Sequence, residues 1–180
     1  GVPHVDLRGL FLAHKAAHVA GQIGIAARNR LALAHDAADR VHQPDRLRFL
    51  RDVHRDPVHG GYAWTLAHVD GSWRAADATN QCYGLVHVAL AYAHAAAAGV
   101  PEARGWLAEI FDLLERRFWD RAYGLYADVA TVDWTQLEAY RGQNANMHGC
   151  EAWLAAHAAT GEQRYLDRAV TIARNICVRQ

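Results

Sequence analysis

The chain has 180 residues, the size of one domain, and its formal charge is zero, with 19 Lys and Arg against 19 Asp and Glu. This balance argues against a nucleic-acid-binding protein and against attachment to a membrane surface by charge. Hydrophobic residues make up 52% of the chain, which is too apolar for intrinsic disorder. The 36 alanines favour closely packed helices. Because His87 and His94 interrupt the longest apolar tract, residues 85–100, no membrane span is expected.

The cysteines and the start of the chain bear on location and cofactors. No basic segment is followed by an apolar stretch of signal-peptide type, so no signal peptide is expected. Cys82, Cys150 and Cys177 are widely spaced and contain no CxxC pair, which excludes a disulfide framework and a zinc motif. We therefore expect a cytoplasmic protein without zinc or another catalytic metal.

The first half of the chain predicts helices followed by a β connection. Residues 1–20 suggest one further helix. Residues 21–41 predict a helix, and Pro44 opens a second one that ends at Asp56-Pro57. Residues 59–73 predict a β-hairpin connection, because Gly60-Gly61 and Asp70-Gly71 are turn signals.

The second half repeats this order. Residues 78–98 predict a helix that stops at Gly99, and residues 102–119 predict its partner with one apolar stripe. Residues 120–134 predict a small β-hairpin. The last pair of helices is expected over residues 144–159 and 163–178.

An internal repeat supports this organisation. The pattern Asp-x-x-x-Gly-x-Tyr occurs at residues 56–62 and again 64 residues later at 120–126, and Asn80 matches Asn144 at the same offset. Three stacked helical hairpins predict an all-α solenoid or closed toroid, here a single domain over residues 1–180. The first helix of each pair is expected to form an inner layer.

The segment over residues 140–152 carries the strongest functional signal. On a helix Asn144, His148 and Glu151 stand at i, i+4 and i+7 and project from one face. A polar cluster on an apolar inner helix costs free energy unless it is paired or binds a ligand. One interpretation is a site for a hydroxyl-rich ligand such as a sugar. The other is local, with Asn144 capping the helix and Glu151 satisfying His148.

The run Arg-Gly-x-Asn-Ala-Asn-Met-His-x-x-Glu-Ala at residues 141–152 resembles the N-acylglucosamine 2-epimerase superfamily. It is most similar to the aldose–ketose isomerase branch, which contains the mannose and sulfoquinovose isomerases. Residues 51–66 and 116–128 agree, and the resemblance covers about residues 20–180. It implies an (α/α)6 barrel. Because family members are roughly twice as long, it also implies that this chain corresponds to the N-terminal half.

The resemblance also implies site residues. The family's substrate-binding Asn and His fall on Asn144 and His148, its pocket tyrosine on Tyr83, and its sugar-binding arginine on Arg28. Near Arg28 the chain departs from the family pattern, because Leu31 and Leu33 stand where aromatic residues are usual. The two catalytic histidines of the family belong to motifs outside these 180 residues, so no catalytic residue is assigned here.

The implied activity is a sugar isomerase or epimerase, most readily of the mannose-to-fructose type. Histidine would move the proton through a cis-enediolate, without metal or nucleotide. The expected partner is a small-molecule sugar, with neither nucleic acid nor membrane. Because three hairpins do not close a ring of six, we also expect association with the missing C-terminal half or self-association.

Three alternatives remain open at this point. One is an N-acyl-hexosamine or disaccharide 2-epimerase, and another is a non-catalytic helical-repeat fragment. The third is a glycosidase, which would need a carboxylate pair among Asp128, Asp133 and Glu138. Trp64 would either stack on a sugar ring or belong to the core.

Overall fold

The computed structural model describes residues 43–179. Arg28 and the helices predicted over residues 1–20 and 21–41 lie outside the described residues. Within the described part, no helix is long and apolar enough to cross a membrane.

The first described helix, α1, spans Gln43–Phe49 and continues as a π-helical turn over Leu50–His54. Pro44 stands in its first turn, where the missing N–H has no helical partner to lose. The helix ends where Arg55 takes an extended conformation, ahead of Pro57. The predicted start and stop signals are therefore confirmed.

A β-hairpin follows α1, with strands β1 at Thr65–Val69 and β2 at Ser72–Asp77 paired antiparallel. Asp70 and Gly71 connect them with φ of 49° and 77°, the left-handed conformations that a tight hairpin turn requires. The hairpin begins later than predicted because residues 55–62 form a separate turn, closed by the bridge between Arg55 and Tyr62.

Strand β3, Asn80–Gln81, precedes helix α2, Cys82–Ala97. The prediction of helix from residue 78 was wrong at this end, because β3 pairs with strand β6 at Val129–Ala130. At the other end α2 stops before Gly99, whose φ of 86° is left-handed, as the sequence predicts.

Helix α3, Ala103–Arg117, leads into strands β4, Trp119–Asp120, and β5, Leu125–Tyr126, which form an antiparallel hairpin. The predicted hairpin over residues 120–134 is thus divided. Its second part, β6, pairs with β3 of the preceding connection instead of with β5. This pairing joins the two successive connections.

Helices α4, Gln143–Thr160, and α5, Gln163–Arg179, close the described chain and agree with the predicted pair. Helix α2 is buried almost all round and packs on both α3 and α4, while α4 also packs on α5. Helix α3 buries one face only. Helices α2 and α4 therefore form the inner layer that the repeat predicts.

The repeated Asp-x-x-x-Gly-x-Tyr pattern makes the same turn twice. The carboxylate oxygen Oδ1 of Asp56 accepts the N–H of Val58 at 2.8 Å, and that of Asp120 accepts the N–H of Ala122 at 2.9 Å. Gly60 and Gly124 take left-handed φ values of 80° and 64°. The turn explains why glycine is repeated at this position.

A buried asparagine anchors the tyrosine of each turn. The Oδ1 atom of Asn80 accepts the N–H of Tyr62 at 3.0 Å, and that of Asn146 accepts the N–H of Tyr126 at 2.7 Å. The structural counterpart of Asn80 is therefore Asn146. The predicted match with Asn144 was wrong because the second connection is two residues longer.

Candidate functional site

Three rings meet near the N-terminal ends of the inner helices α2 and α4. The centroids of Tyr83 and His87 are 4.4 Å apart, those of His87 and His148 are 4.6 Å apart, and those of Tyr83 and His148 are 5.5 Å apart. Two helices thus bring one tyrosine and two histidines into a single cluster, which we call the ring cluster. Its polar atoms suit the recognition of hydroxyl groups.

His87 is the member of the ring cluster that sequence reasoning missed. It is 4% exposed, and its Nδ1–H donates to the carbonyl oxygen of Tyr83 at 2.7 Å. Since a carbonyl only accepts, Nδ1 carries the proton and the ring is fixed against α2. The signal that could have found it is the i, i+4 spacing of Tyr83 and His87 on a helix.

His148 is paired with Glu151 one turn further along α4. Its Nδ1–H donates to Glu151 Oε2 at 3.1 Å. The side chains are 26% and 38% exposed, so a ligand can reach them. The pairing orients the imidazole and directs its second nitrogen, Nε2, away from Glu151. The local interpretation given above predicts the same contact, because in it Glu151 accepts a hydrogen bond from His148.

Asn144 lies exposed in the first turn of α4, one turn before His148. The N-cap position belongs to Gly142, and no side chain caps this helix end. The capping half of the local interpretation is therefore wrong, and the Asn144 side chain stands on the same helix face as His148.

Trp64 borders the ring cluster from the connection before α2. Its ring meets Tyr83 edge-on with centroids 6.3 Å apart. A Cβ on Gly84 would lie 2.9 Å from the Trp64 ring atom Cζ3, so the absence of a side chain lets the indole pack on α2. Trp64 is half-buried, so part of the ring packs in the protein and part remains accessible.

The acidic residues of the connection before α4 differ in their surroundings. Hydrogen bonds from the side chains of Thr131 and Thr135 lower the pKa of Asp133 to about 2. The Asp133 carboxylate therefore stabilises a local turn. Burial, and then the nearby charge of Glu138, raise the pKa of Asp128. The Oδ1 atom of Asp133 is thus occupied by hydrogen bonds within its own turn.

Arg28 lies outside the described residues, so its expected approach to His148 stays a prediction. Between residues 43 and 179 no group of three or more His, Cys, Asp or Glu side chains is placed to hold a metal ion.

Known proteins resemble this chain along most of its length. The family model for N-acylglucosamine 2-epimerase (GlcNAc 2-epimerase) matches residues 29–180. A D-mannose isomerase from Marinomonas mediterranea is 47% identical over 134 residues, which are 74% of this chain and 33% of that relative.

Solved structures agree in fold. A crystal structure of D-mannose isomerase superposes with a TM-score of 0.75 at 38% identity, covering 93% of this chain and 41% of that one. The cellobiose 2-epimerase of Spirochaeta thermophila gives a TM-score of 0.67 at 26% identity, covering 89% of this chain and 41% of that one. The chain thus spans about a third to two fifths of the length of these relatives, and its helical hairpins form part of an (α/α)6 barrel. It belongs to the N-acylglucosamine 2-epimerase family.

Proposed function

We propose that this chain is part of an aldose–ketose isomerase of the mannose-to-fructose type and that it supplies one wall of the sugar site. The observation that carries the proposal is the ring cluster of Tyr83, His87 and His148 near the N-terminal ends of the inner helices. The 47% identity to a D-mannose isomerase supports the choice of reaction.

The reaction needs two kinds of group. A proton leaves C2 of the open-chain aldose to give a cis-enediolate, and its return to C1 gives the ketose. Histidine suits this transfer because its unperturbed pKa of about 6.5 permits uptake and release near neutral pH. We assign that transfer to the catalytic histidines that the family resemblance predicts outside this chain.

The residues of this chain serve binding and orientation. Tyr83 and His148 offer a hydroxyl and an imidazole nitrogen to sugar hydroxyl groups, and Asn144 offers an amide on the same helix face. The accessible part of the Trp64 ring offers an apolar surface to the sugar C–H groups. Arg28 is expected to complete this wall.

A 2-epimerase is the second candidate, because the fold also matches a cellobiose 2-epimerase at 26% identity. An epimerase returns the proton to C2 from the opposite face, so mannose would give glucose in place of fructose. Analysis of the product distinguishes the two reactions.

We also propose a cytoplasmic location. Its support is that Cys82, Cys150 and Cys177 are all unpaired thiols, which is usual in a reducing compartment.

The test is an assay of the purified chain on D-mannose, following D-fructose. The chain alone should show no turnover, because losing a proton-transfer group costs about 10²–10⁴ in rate. Addition of the separately produced C-terminal half of the Marinomonas relative should restore turnover, and His148→Ala should abolish it again. Turnover by the chain alone would contradict the placement of the catalytic groups. If the two mixed halves form a stable complex that binds mannose without converting it, the proposal of an isomerase is contradicted.

A further inference from the structure

Asp128 lies where the N-terminal ends of α2 and α4 meet. Its backbone carbonyl accepts the N–H of Cys82 at 2.8 Å, and Cys82 is the residue before Tyr83. Its two carboxylate oxygens lie 3.1 and 3.2 Å from the point where a Cβ on Gly142 would stand, two residues before Asn144. The carboxyl group therefore lies between the two helix ends that carry the ring cluster and Asn144.

The Asp128 carboxyl differs from the other acidic groups of these connections. Asp56, Asp120 and Asp133 each accept hydrogen bonds from the residues that follow them. Among the side chains described, over residues 46–177, none donates a hydrogen bond to Asp128 or forms an ion pair with it. The Asp128 oxygens are not among the buried atoms that lack a partner, so they are open to solvent. A ligand hydroxyl can therefore reach them and donate a hydrogen bond.

The electrostatic surroundings leave this carboxyl available to a neutral ligand. Burial raises its pKa first, and Glu138 from the same connection raises it further. The Cys82 thiol of α2 faces it as well and is itself affected by its charge. No described cation neutralises Asp128, while the positive end of the α4 dipole favours its ionised form.

We propose that Asp128 is a further sugar-binding residue, which accepts hydrogen bonds from hydroxyl groups of the aldose bound against Tyr83 and His148. This inference rests on the proposed function. A carboxylate with two oxygens can accept from two neighbouring hydroxyls, so the class of ligand is a polyhydroxylated sugar. A Cβ on Gly142 would lie 2.9 Å from Tyr140 Cε1 and within 3.2 Å of both Asp128 carboxylate oxygens, so a side chain there would press on the carboxyl group.

The experiment is a titration with D-mannose of the labelled chain mixed with the unlabelled C-terminal half of the Marinomonas relative. It is observed by NMR with carboxyl-labelled aspartate and labelled histidine in this chain. The Asp128 carboxyl signal and the His148 imidazole signals should shift together. In Asp128→Asn the mannose Kd should rise by about tenfold or more, as expected for loss of a hydrogen bond to a charged group. Asp133→Asn is the matched control, because its carboxylate is held by Thr131 and Thr135, and its Kd should stay within about twofold.

The outcomes separate the two proposals. If the His148 signals shift and the Asp128 signal of the unaltered chain does not, the role of Asp128 is overturned while the sugar site stands. If mannose shifts neither, the proposed function fails and the role of Asp128 fails with it. Because the labelled wild-type chain reports directly on Asp128, the test does not depend on the folding of the variant.

Discussion

Asn144 and Asn146 stand two residues apart on α4 and have different surroundings. Asn146 is fully buried and forms three hydrogen bonds, two with the backbone of Tyr126 and one with the carbonyl of Gly142. Asn144 is exposed. The family motif contains both asparagines, and only the structure separates the one that holds strand β5 from the one that can meet a ligand.

Substitution by alanine should divide these roles. Asn146→Ala should lower the free energy of unfolding by about 3 kcal/mol, because it leaves backbone groups of Tyr126 without partners. Asn144→Ala should change it by less than about 0.5 kcal/mol while weakening mannose binding. Urea denaturation and mannose titration of the two variants measure this. Equal destabilisation by both substitutions would contradict the assignment.

His54 should make stability depend on pH. It is 2% exposed, its Nδ1–H donates to the carbonyl of Ala63 at 3.1 Å, and its Nε2 has no hydrogen-bond partner among residues 43–179. Burial lowers the pKa of His54 in the folded state. Below about pH 6.5 the unfolded chain therefore takes up a proton that the folded chain does not, and stability falls as the pH falls.

The variant His54→Asn, which keeps a donor for the Ala63 carbonyl, should remove this dependence. Wild-type stability should fall by up to about 1.4 kcal/mol per pH unit below pH 6.5, relative to the variant. Urea midpoints between pH 8 and pH 5 provide the comparison. Parallel pH curves for the two proteins would show that His54 does not titrate in this way.

At the residue scale, the sequence pointed to some members of the candidate site and not to others. The contact between His148 and Glu151 follows from helical spacing alone. His87 was missed because Leu, Val and Ala surround it in an apolar helix. Its place in the ring cluster depends on contact with His148 of the neighbouring helix α4. The i, i+4 spacing of Tyr83 and His87 is a local signal, but the contact of His87 with His148 on the next helix leaves no local pattern in a single sequence.

At the scale of elements, ion pairs join successive outer helices, α1 to α3 and α3 to α5, and the two pairs have opposite polarity. Arg51 Nη1 binds Glu109 Oε2 of α3 at 2.5 Å; that hydrogen bond, with a smaller contribution from Tyr62, raises the Arg51 pKa. At the equivalent place Glu115 of α3 accepts hydrogen bonds from Nε and Nη2 of Arg168 in α5. It also accepts one from the Tyr126 hydroxyl at 2.7 Å. The charges are exchanged between the two repeats.

The exchange predicts how the second pair can be rebuilt. Glu115→Ala should cost about 2 kcal/mol, because it leaves the half-buried Arg168 without its carboxylate and the Tyr126 O–H without an acceptor. The double variant E115R/R168E, which copies the polarity of the first repeat, should recover about half of this loss. Recovery should be incomplete because Arg168 also lies over the Trp119 ring, 3.4 Å from its centroid. Denaturation midpoints of the wild type, Glu115→Ala and E115R/R168E test the prediction. If the double variant recovers no stability, the two ion pairs are not equivalent.

The elements themselves were largely predictable, and their pairing was not. Gly99 and the Asp70-Gly71 turn carry left-handed conformations that local chemistry dictates. Strand β3 was taken for helix because Asn80-Gln81 precedes an apolar helical run without a breaker. Its conformation is set by β6, about 50 residues away, and such long-range pairing has no local signature.

At the scale of the whole molecule, the last described hairpin leaves an apolar edge. Met147 and Leu154 are seven residues apart on the same face of α4, and they are 50% and 49% exposed. Val170 of α5 is 38% exposed. Exposed apolar side chains on an inner helix favour association. We therefore expect the chain to self-associate when no further hairpin covers this edge.

Light scattering after size exclusion tests this expectation. The mass should exceed 19.9 kDa at micromolar concentration, and Leu154→Glu should restore the monomer. Arg121→Glu, on the exposed β4–β5 turn, is the control and should leave the association unchanged. A wild-type chain that stays monomeric at high concentration would contradict the prediction.

The central claim is that the ring cluster is the wall of a sugar site. Its most direct test is the crystal structure of the chain soaked in D-mannose. We expect one sugar within hydrogen-bond distance of the Tyr83 hydroxyl and His148 Nε2, with its C–H face towards Trp64. Electron density for mannose elsewhere on the molecule, with only water at the ring cluster, would contradict the claim.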